Sequence, residues 1–189
     1  MSEQNARICL NETDENCARV NMAQTKMITV QPARVDEVLQ IKQVLSSTWI
    51  DTYRAFMPID VIHKLTALWH KPETLAAEIE TENVYFALAK DENNAILGLL
   101  SAASRENEIV TVGRLYVLPA HQRRGIGAQL LDACIAAFPG AHQLRLEVEA
   151  ENAKGLAFYR KVGFKELARK QETIEDITLT TIDMELQLT

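Results

Sequence analysis

Residues 115–131 read LYVLPAHQRRGIGAQLL, and the rest of the chain is organised around this stretch. Leu115 to Leu118 is a short apolar run typical of a strand, and Pro119 ends it because proline has no N–H to continue a strand ladder. From Ala128 onward the apolar residues recur at helical spacing. A basic loop with two arginines and two glycines therefore leads into a helix N-terminus, whose first amides have no partner inside the helix. This arrangement predicts an anion site, and the expected anion is a phosphate.

The loop does not match the two common nucleotide-binding motifs. The dinucleotide fingerprint needs a third glycine at the position of Leu130, and the Walker loop needs Gly-Lys-Ser/Thr; both features are absent. A basic loop that only caps a helix is the alternative interpretation. A second motif elsewhere in the chain is needed to separate the two.

Length and composition bound the class of protein. The chain has 189 residues, 47% of them hydrophobic and 24% charged, which favours one globular domain with a sizeable core. No apolar run approaches the roughly 20 residues that cross a bilayer, and the N-terminus has no apolar signal core, so we expect neither membrane insertion nor export. The net charge of −6 argues against nucleic-acid binding. Three cysteines without close pairs indicate a reducing compartment, so we expect a cytoplasmic protein. The four histidines do not have the spacing of metal ligands, so no metal site is predicted.

The order of predicted elements gives the fold class. A first strand at 27–30 precedes helices over 32–46, 58–69 and 72–80, and three consecutive strands follow over 83–118. The helix of the first motif, a strand over 144–148, a helix over 152–162 and two final strands complete the chain. A strand meander beside a strand–helix–strand–helix unit predicts an α/β (α+β) domain with a mixed, mostly antiparallel sheet flanked by helices. We place it at residues 27–189, with a bulge at Gly113, and interpret residues 1–26 as a flexible or irregular leader.

A second motif lies at residues 144–164, which read LRLEVEAENAKGLAFYRKVGF. It combines a Leu-Glu-Val strand, an asparagine that opens a helix, Phe-Tyr within that helix and Gly-Phe at its end. Together with Gln-x-x-Gly-x-Gly in the first motif, in this order and separation, it resembles the paired signatures of the GNAT superfamily of acyl-CoA-dependent N-acetyltransferases. The element order fits as well, so the resemblance covers residues 27–189.

The resemblance implies acetyl-CoA as the acyl donor and indicates which residues bind it. In the family, the strand before the loop binds the pantetheine arm through its backbone, the loop binds the pyrophosphate, and an asparagine at the start of the later helix binds the donor. The matching strand residues here are Leu115, Tyr116 and Val117. The matching loop residues are Gln122, Arg123, Arg124, Gly125, Ile126, Gly127 and Ala128. The matching asparagine is Asn152, which is also a credible helix N-cap.

Direct transfer to an amine needs a base for the amine and an acid for the leaving thiolate. The resemblance assigns the acid to Tyr159, because a tyrosine at this place commonly lies near the donor sulfur and a phenol can protonate a thiolate. Glu147 precedes it by twelve residues, a spacing similar to that in the ribosomal-protein N-terminal acetyltransferases, and is the expected base. Glu108 or a water molecule is the alternative. Thr111 matches the base position of histone-type relatives, and threonine cannot serve there.

The predicted function is transfer of the acetyl group of acetyl-CoA to a primary amine, with a small amine as the expected acceptor. The alternatives are a protein or peptide N-terminus or lysine, and a non-catalytic acyl-CoA sensor. The resemblance indicates that the segment from Trp49 to Trp69, together with loops near the end of the chain, selects the acceptor. The aromatics Trp49, Tyr53 and Phe56 of this segment either pack on the core or line the acceptor pocket. Dimers are frequent among relatives, so a homodimer is a further option.

Overall fold

The computed structural model describes residues 27–105, 108–174 and 177–188. Within these ranges the chain forms seven strands and five α-helices. The strands are β1 (Thr29–Pro32), β2 (Val84–Lys90), β3 (Ile96–Arg105), β4 (Ile109–Val117), β5 (Gln143–Glu149), β6 (Lys165–Ile174) and β7 (Ile177–Gln187). The helices are α1 (Val38–Tyr53), α2 (Ile59–Trp69), α3 (Pro72–Ile79), α4 (Ile126–Ala137) and α5 (Ala153–Lys161). The leader predicted at 1–26 lies outside the described residues.

The seven strands form one sheet in the order β1-β2-β3-β4-β5-β7-β6. Neighbouring strands run antiparallel except for β4 and β5, which are parallel. The predicted mixed, mostly antiparallel sheet flanked by helices is therefore confirmed. None of the helices in the described ranges has the length and apolar content to span a membrane.

The parallel pair β4–β5 is short, and this decides where a ligand can enter. Only Ile109–Thr111 of β4 pair with Gln143–Arg145 of β5. On the other side of β4, Ser101 pairs with Arg114 and Ala102 with Val112, so Gly113 is an extra, bulged residue, as predicted. A bulge bends its strand, and the second half of β4 leaves β5 at this point. The result is a gap within the sheet between the C-terminal halves of β4 and β5.

The helices cover the two faces of the sheet separately. Helices α4 and α5 pack on one face, where the fully buried side chains are Val110, Leu130, Cys134, Leu144 and Met184. Helices α1 and α3 pack on the other face, against β2 and β3, where they are Ile41, Leu45, Leu75, Leu88 and Leu99. A third cluster joins α1 to α2 beside the gap and contains Trp49, Tyr53, Met57, Ile62 and Leu65.

Helix α1 differs from the prediction of a helix over 32–46. It begins at Val38 after a short 3-10 turn and continues through the aromatic segment to Tyr53. No glycine or proline interrupts this run, and the Thr48 hydroxyl donates to the Val44 carbonyl one turn earlier, at 2.9 Å, which lets a polar residue lie inside the buried helix. The tryptophan and tyrosine predicted to share one helix face therefore do so on α1.

Candidate active site

The loop before α4 has the backbone of an anion site. Gly125 is the N-cap of α4 with φ +82°, and Arg123 is also left-handed with φ +59°. No side chain caps this helix, so its first amides are open to a ligand. The Arg123 and Arg124 side chains are exposed, and in the described part of the chain neither forms an ion pair. Left-handed turns, a helix N-terminus and two free cations together suit a diphosphate.

Other loop residues serve mainly to hold the loop in place. Gln122 donates from Nε2 to the Val117 carbonyl at 3.1 Å, which ties the loop to the end of β4. Ile126 is buried and anchors the start of α4 in the core, while Ala128 is partly buried in the first turn. A Cβ on Gly127 would lie 3.0 Å from Cζ of Phe158, so this glycine lets α4 approach α5 closely.

The end of β4 presents an unpaired backbone edge to the gap. Leu115 and Val117 pack toward α4 and α5, whereas Tyr116 points to the opposite face. In the described residues β5 pairs with β4 only as far as Thr111, so the 115–117 backbone has no strand partner on that side. An unpaired edge of this kind binds extended ligands through main-chain hydrogen bonds.

Asn152 lies at the N-terminus of α5, on the other side of the gap. Its Oδ1 accepts from the Gly155 N–H at 2.9 Å, which confirms the predicted N-cap. A Cβ on Gly155 would lie 2.6 Å from Nδ2 of Asn152, so the glycine makes room for the capping side chain. With Oδ1 engaged, the Nδ2 donors are the part of Asn152 that suits a ligand.

Tyr159 enters the site from α5. It is 9% exposed and packs edge-on between Phe158 and Phe164, with ring centroids 5.4 and 5.5 Å away. Burial raises the pKa of its phenol, and nearby Tyr116 raises that pKa further. The hydroxyl is therefore protonated at neutral pH, as a proton donor must be.

Tyr116 enters the site from the opposite face of the sheet. Its hydroxyl oxygen accepts from Nε1 of Trp49 at 3.0 Å and is also hydrogen-bonded to Tyr53. Burial is the largest cause of the raised pKa values of Tyr53 and Tyr116. Tyr116 acts electrostatically on Tyr159, which belongs to the core of the α4–α5 face. Phenols from the two faces thus meet at the gap.

The structure places the two carboxylates predicted from the sequence, Glu147 and Glu108, in different surroundings. Glu147 is 56% exposed, and its Oε1 lies 3.5 Å from Nζ of Lys170. Glu108 pairs with Nε2 of His142 at 2.6 Å. It precedes β4, roughly 25 Å along the strand from Tyr116 at ~3.3 Å per residue, so it is not brought to the phenols.

Glu149, which the sequence analysis did not select, is the carboxylate beside the phenols. It ends β5 on the face that also carries Glu147, and it is half-buried. After burial, its charge is one of the causes that raise the pKa values of Tyr53 and Tyr116. The signal available in the sequence was the period of two along β5, which puts Glu149 on the same face as Glu147 and nearer to the strand end.

The chain is similar to known proteins in sequence and in fold. The chain matches the acetyltransferase (GNAT) domain family over residues 61–188. An N-alpha-acetyltransferase of Sulfurisphaera tokodaii is 25% identical over 146 residues, which are 75% of this chain and 83% of that protein.

Two solved structures have a similar fold. The PaiA N-acetyltransferase of Thermoplasma acidophilum, in complex with coenzyme A, superposes with a TM-score of 0.75 at 21% identity, covering 86% of this chain and 99% of that one. The ribosomal-protein-S18-alanine N-acetyltransferase of Escherichia coli superposes with a TM-score of 0.65 at 21% identity, covering 85% and 94%. The family match spans more than half of the chain and contains both signature motifs. The chain therefore belongs to the GNAT family of acetyltransferases.

Proposed function

We propose that this enzyme transfers the acetyl group of acetyl-CoA to a small primary amine by direct attack within a ternary complex. The observation that carries the proposal is the meeting of phenols from both faces of the sheet at the β4–β5 gap, beside an uncapped helix N-terminus. The loop is suited to hold the donor, and the phenols are suited to act on its thioester.

The proposed donor-binding residues are those that the resemblance implies, and the shape of the gap suits them. The pyrophosphate lies on the loop before α4, and the pantetheine arm follows the unpaired edge of β4 toward Tyr159. Asn152 donates from Nδ2 across the gap. The full donor site comprises Leu115, Tyr116, Val117, Gln122, Arg123, Arg124, Gly125, Ile126, Gly127, Ala128 and Asn152.

The reaction moves two protons from the acceptor nitrogen. The acceptor arrives as an ammonium ion and gives one proton to a base, which frees the nitrogen lone pair. The nitrogen then bonds to the thioester carbon, and the C–S bond breaks with its electron pair leaving on sulfur. Tyr159 donates a hydrogen bond to the sulfur and supplies its proton. Because the pKa of Tyr159 is raised, the phenol regains a proton as the new amide nitrogen loses its second one.

We assign the base to Glu149 rather than to Glu147, because Glu149 is half-buried and its charge acts on the phenols. The resemblance points to Glu147, whose carboxylate is 56% exposed. Glu149 lies two residues further along β5 and acts electrostatically on Tyr53 and Tyr116. A carboxylate at that position can attract the ammonium group and take its proton.

The surroundings of Glu149 favour a small cationic acceptor. The rings of Trp49, Tyr53 and Phe56 form one aromatic cluster on the acceptor side of the gap, with Trp49–Tyr53 and Tyr53–Phe56 centroids at 4.5 and 5.6 Å. Aromatic faces beside a carboxylate suit an alkylammonium group. Leu179 of β7 packs against the same cluster and narrows this side, which favours a compact acceptor over an extended peptide.

A peptide N-terminus or lysine is the second candidate acceptor. The Escherichia coli protein, whose fold is similar to this one, is named for acetylation of ribosomal protein S18. The Sulfurisphaera tokodaii protein, which is similar in sequence, is named an N-alpha-acetyltransferase. Release of free CoA, measured with polyamines, amino acids, aminoglycosides and N-terminal peptides, separates the two candidates. We expect turnover with a small amine. Turnover with peptides alone would contradict the small-acceptor assignment, and acetyl-CoA binding without any turnover would favour a sensor.

The catalytic residues are tested with matched pairs of variants. Tyr159→Phe should lower kcat at least a hundredfold, in line with the usual contribution of a general acid. Tyr85→Phe removes a phenol that packs on Phe138, away from the gap, and should leave kcat unchanged. Undiminished turnover in Tyr159→Phe would refute the acid assignment. Glu149→Gln should remove the acidic limb of the kcat/KM profile, and the same loss in Glu147→Gln alone would restore Glu147 as the base.

A further inference from the structure

The indole ring of Trp49 is fixed on several sides. It is 6% exposed within α1 and contacts three neighbouring rings. The centroid distances are 4.5 Å to Tyr53, 5.4 Å to Trp69 and 5.4 Å to His70. Tyr53 is tilted against the indole, whereas Trp69 and His70 meet it edge-on. Packing of this kind leaves the indole little freedom to turn, so its N–H has a defined direction.

That direction determines how the Tyr116 hydroxyl is used. An indole N–H can only donate, so the Tyr116 oxygen must be the acceptor in the 3.0 Å contact with Nε1 of Trp49. Tyr53 interacts with the same hydroxyl. Because the indole N–H occupies one lone pair of the Tyr116 oxygen, the proton of that hydroxyl points away from Trp49.

We infer that Trp49 is a positioning residue for acetyl transfer, because by holding the Tyr116 oxygen it directs the Tyr116 hydroxyl proton into the β4–β5 gap. There the hydroxyl donates to the thioester carbonyl oxygen as negative charge develops on it. The inference rests on the proposed function and adds a side-chain role to Tyr116, whose backbone alone was assigned to the donor. Trp49 itself does not touch the reacting atoms.

The two tryptophans of the chain provide a matched test. Trp49→Phe keeps an aromatic ring and removes the N–H, and we expect kcat to fall about tenfold, the effect of one hydrogen bond, with KM for acetyl-CoA unchanged. Trp69→Phe makes the same truncation in the neighbouring ring but keeps the Trp49 N–H, so it should lower kcat less than Trp49→Phe does. Tyr116→Phe should lower kcat about a hundredfold. Because Trp49 acts through Tyr116, Trp49→Phe should cause no further loss in the Tyr116→Phe background.

A Trp49→Phe variant with wild-type kcat would overturn the inference, and so would a loss that multiplies with that of Tyr116→Phe. Either result leaves the proposed function intact as long as Tyr159→Phe is impaired. If the wild-type enzyme acetylates no amine, both proposals fail together.

A second measurement needs no Trp49 variant, so it decides the matter even if Trp49→Phe does not fold. In Trp69→Phe the single indole N–H signal in a nitrogen–proton correlation spectrum belongs to Trp49. We expect its exchange with solvent deuterium to be at least tenfold faster when Tyr116→Phe is added. Unchanged exchange would overturn the inference while leaving the proposed function untouched.

Discussion

The close approach of β3 to β4 predicts that Gly98→Ala destabilises the protein. Gly98 lies on β3 opposite Val117. A Cβ at this position would lie 2.8 Å from the Tyr116 carbonyl oxygen, 3.2 Å from Cγ2 of Val117 and 3.3 Å from Cγ2 of Ile126. The nearest atom belongs to the backbone and cannot rotate away. The end of β4 or the start of α4 must therefore move to admit the methyl group.

The size of the effect follows from these distances. The Cβ–oxygen contact is about 0.6 Å shorter than the 3.4 Å at which ordinary contact begins. Overpacking of this kind costs about 1–3 kcal/mol. For a chain of this length each kcal/mol lowers Tm by about 2–4 °C, so a fall of about 2–12 °C is expected. Because Tyr116 belongs to the proposed donor-binding edge, KM for acetyl-CoA should rise as well.

The assay is urea and thermal unfolding of Gly98→Ala beside Gly113→Ala, with KM for acetyl-CoA measured on both. A Cβ on Gly113 would come no nearer than 3.7 Å, to Oγ of Ser101, so this control should be neutral or stabilised by about 0.4–1 kcal/mol. If Gly98→Ala unfolds with the wild-type Tm and binds acetyl-CoA normally, β4 adjusts freely. The close-packing argument would then be wrong.

Three further predictions concern pH, a buried ion pair and the cap of α5. Burial lowers the pKa of His70 to about 4, below its usual value near 6.5, so the unfolded chain binds one more proton than the folded protein between these pH values. The free energy of unfolding should therefore fall by about 3 kcal/mol from pH 6.5 to 4. Urea unfolding of His70→Phe should lose this contribution to the pH dependence. Lys90→Met leaves the carboxylate of Glu37, whose side chain is 15% exposed, without its cation, so the free energy of unfolding in urea should fall by about 3–5 kcal/mol. Adding Glu37→Leu removes the uncompensated charge and should recover much of that loss. Asn152→Ala should lose about 1 kcal/mol of stability and bind acetyl-CoA more weakly, because it removes both the helix cap and the Nδ2 donors. Asn152→Ser keeps a capping hydroxyl, so it should keep the stability and lose only the binding. If both variants bind acetyl-CoA as tightly as the wild type, Asn152 does not bind the donor.

The features predicted from the sequence are those set by neighbouring residues. The loop before α4 was predicted because an apolar run, a proline, a basic loop with two glycines and a helical period follow one another directly in the sequence. The structure has this order, with Gly125 as the left-handed N-cap of the helix. The Asn152 cap and the Gly113 bulge were likewise local signals, and both are present. The order of strands and helices was predicted from apolar residues that recur every two residues in strands and every 3.6 residues in helices. Such a pattern depends only on residues within the same element.

The features that the sequence did not predict depend on distant parts of the chain. Tyr116 was assigned only a backbone role because its side-chain partner, Trp49, lies 67 residues earlier. Glu149 was not selected over Glu147 because that choice requires the position at which β4 leaves β5. The apolar residues of α2 recur at helical spacing but are buried only in part, since Ile59 is 50% exposed although Ile62 is buried. Helix α2 covers only the end of α1, so a regular apolar period does not by itself show how much surface is available to bury it.

The bulge at Gly113 connects these local and distant features. Val110 and Val112 face α4 and α5, and regular alternation would place Arg114 and Tyr116 on that same face. The extra residue shifts the alternation by one, so that Leu115 and Val117 continue the α4–α5 core and Tyr116 points to the α1 side. One glycine thereby has two consequences, since it opens the gap beside β5 and directs a phenol to the face on which Trp49 lies. The proposed donor edge and the proposed acceptor wall are therefore set by the same backbone irregularity, and neither could be moved by a change in register without moving the other.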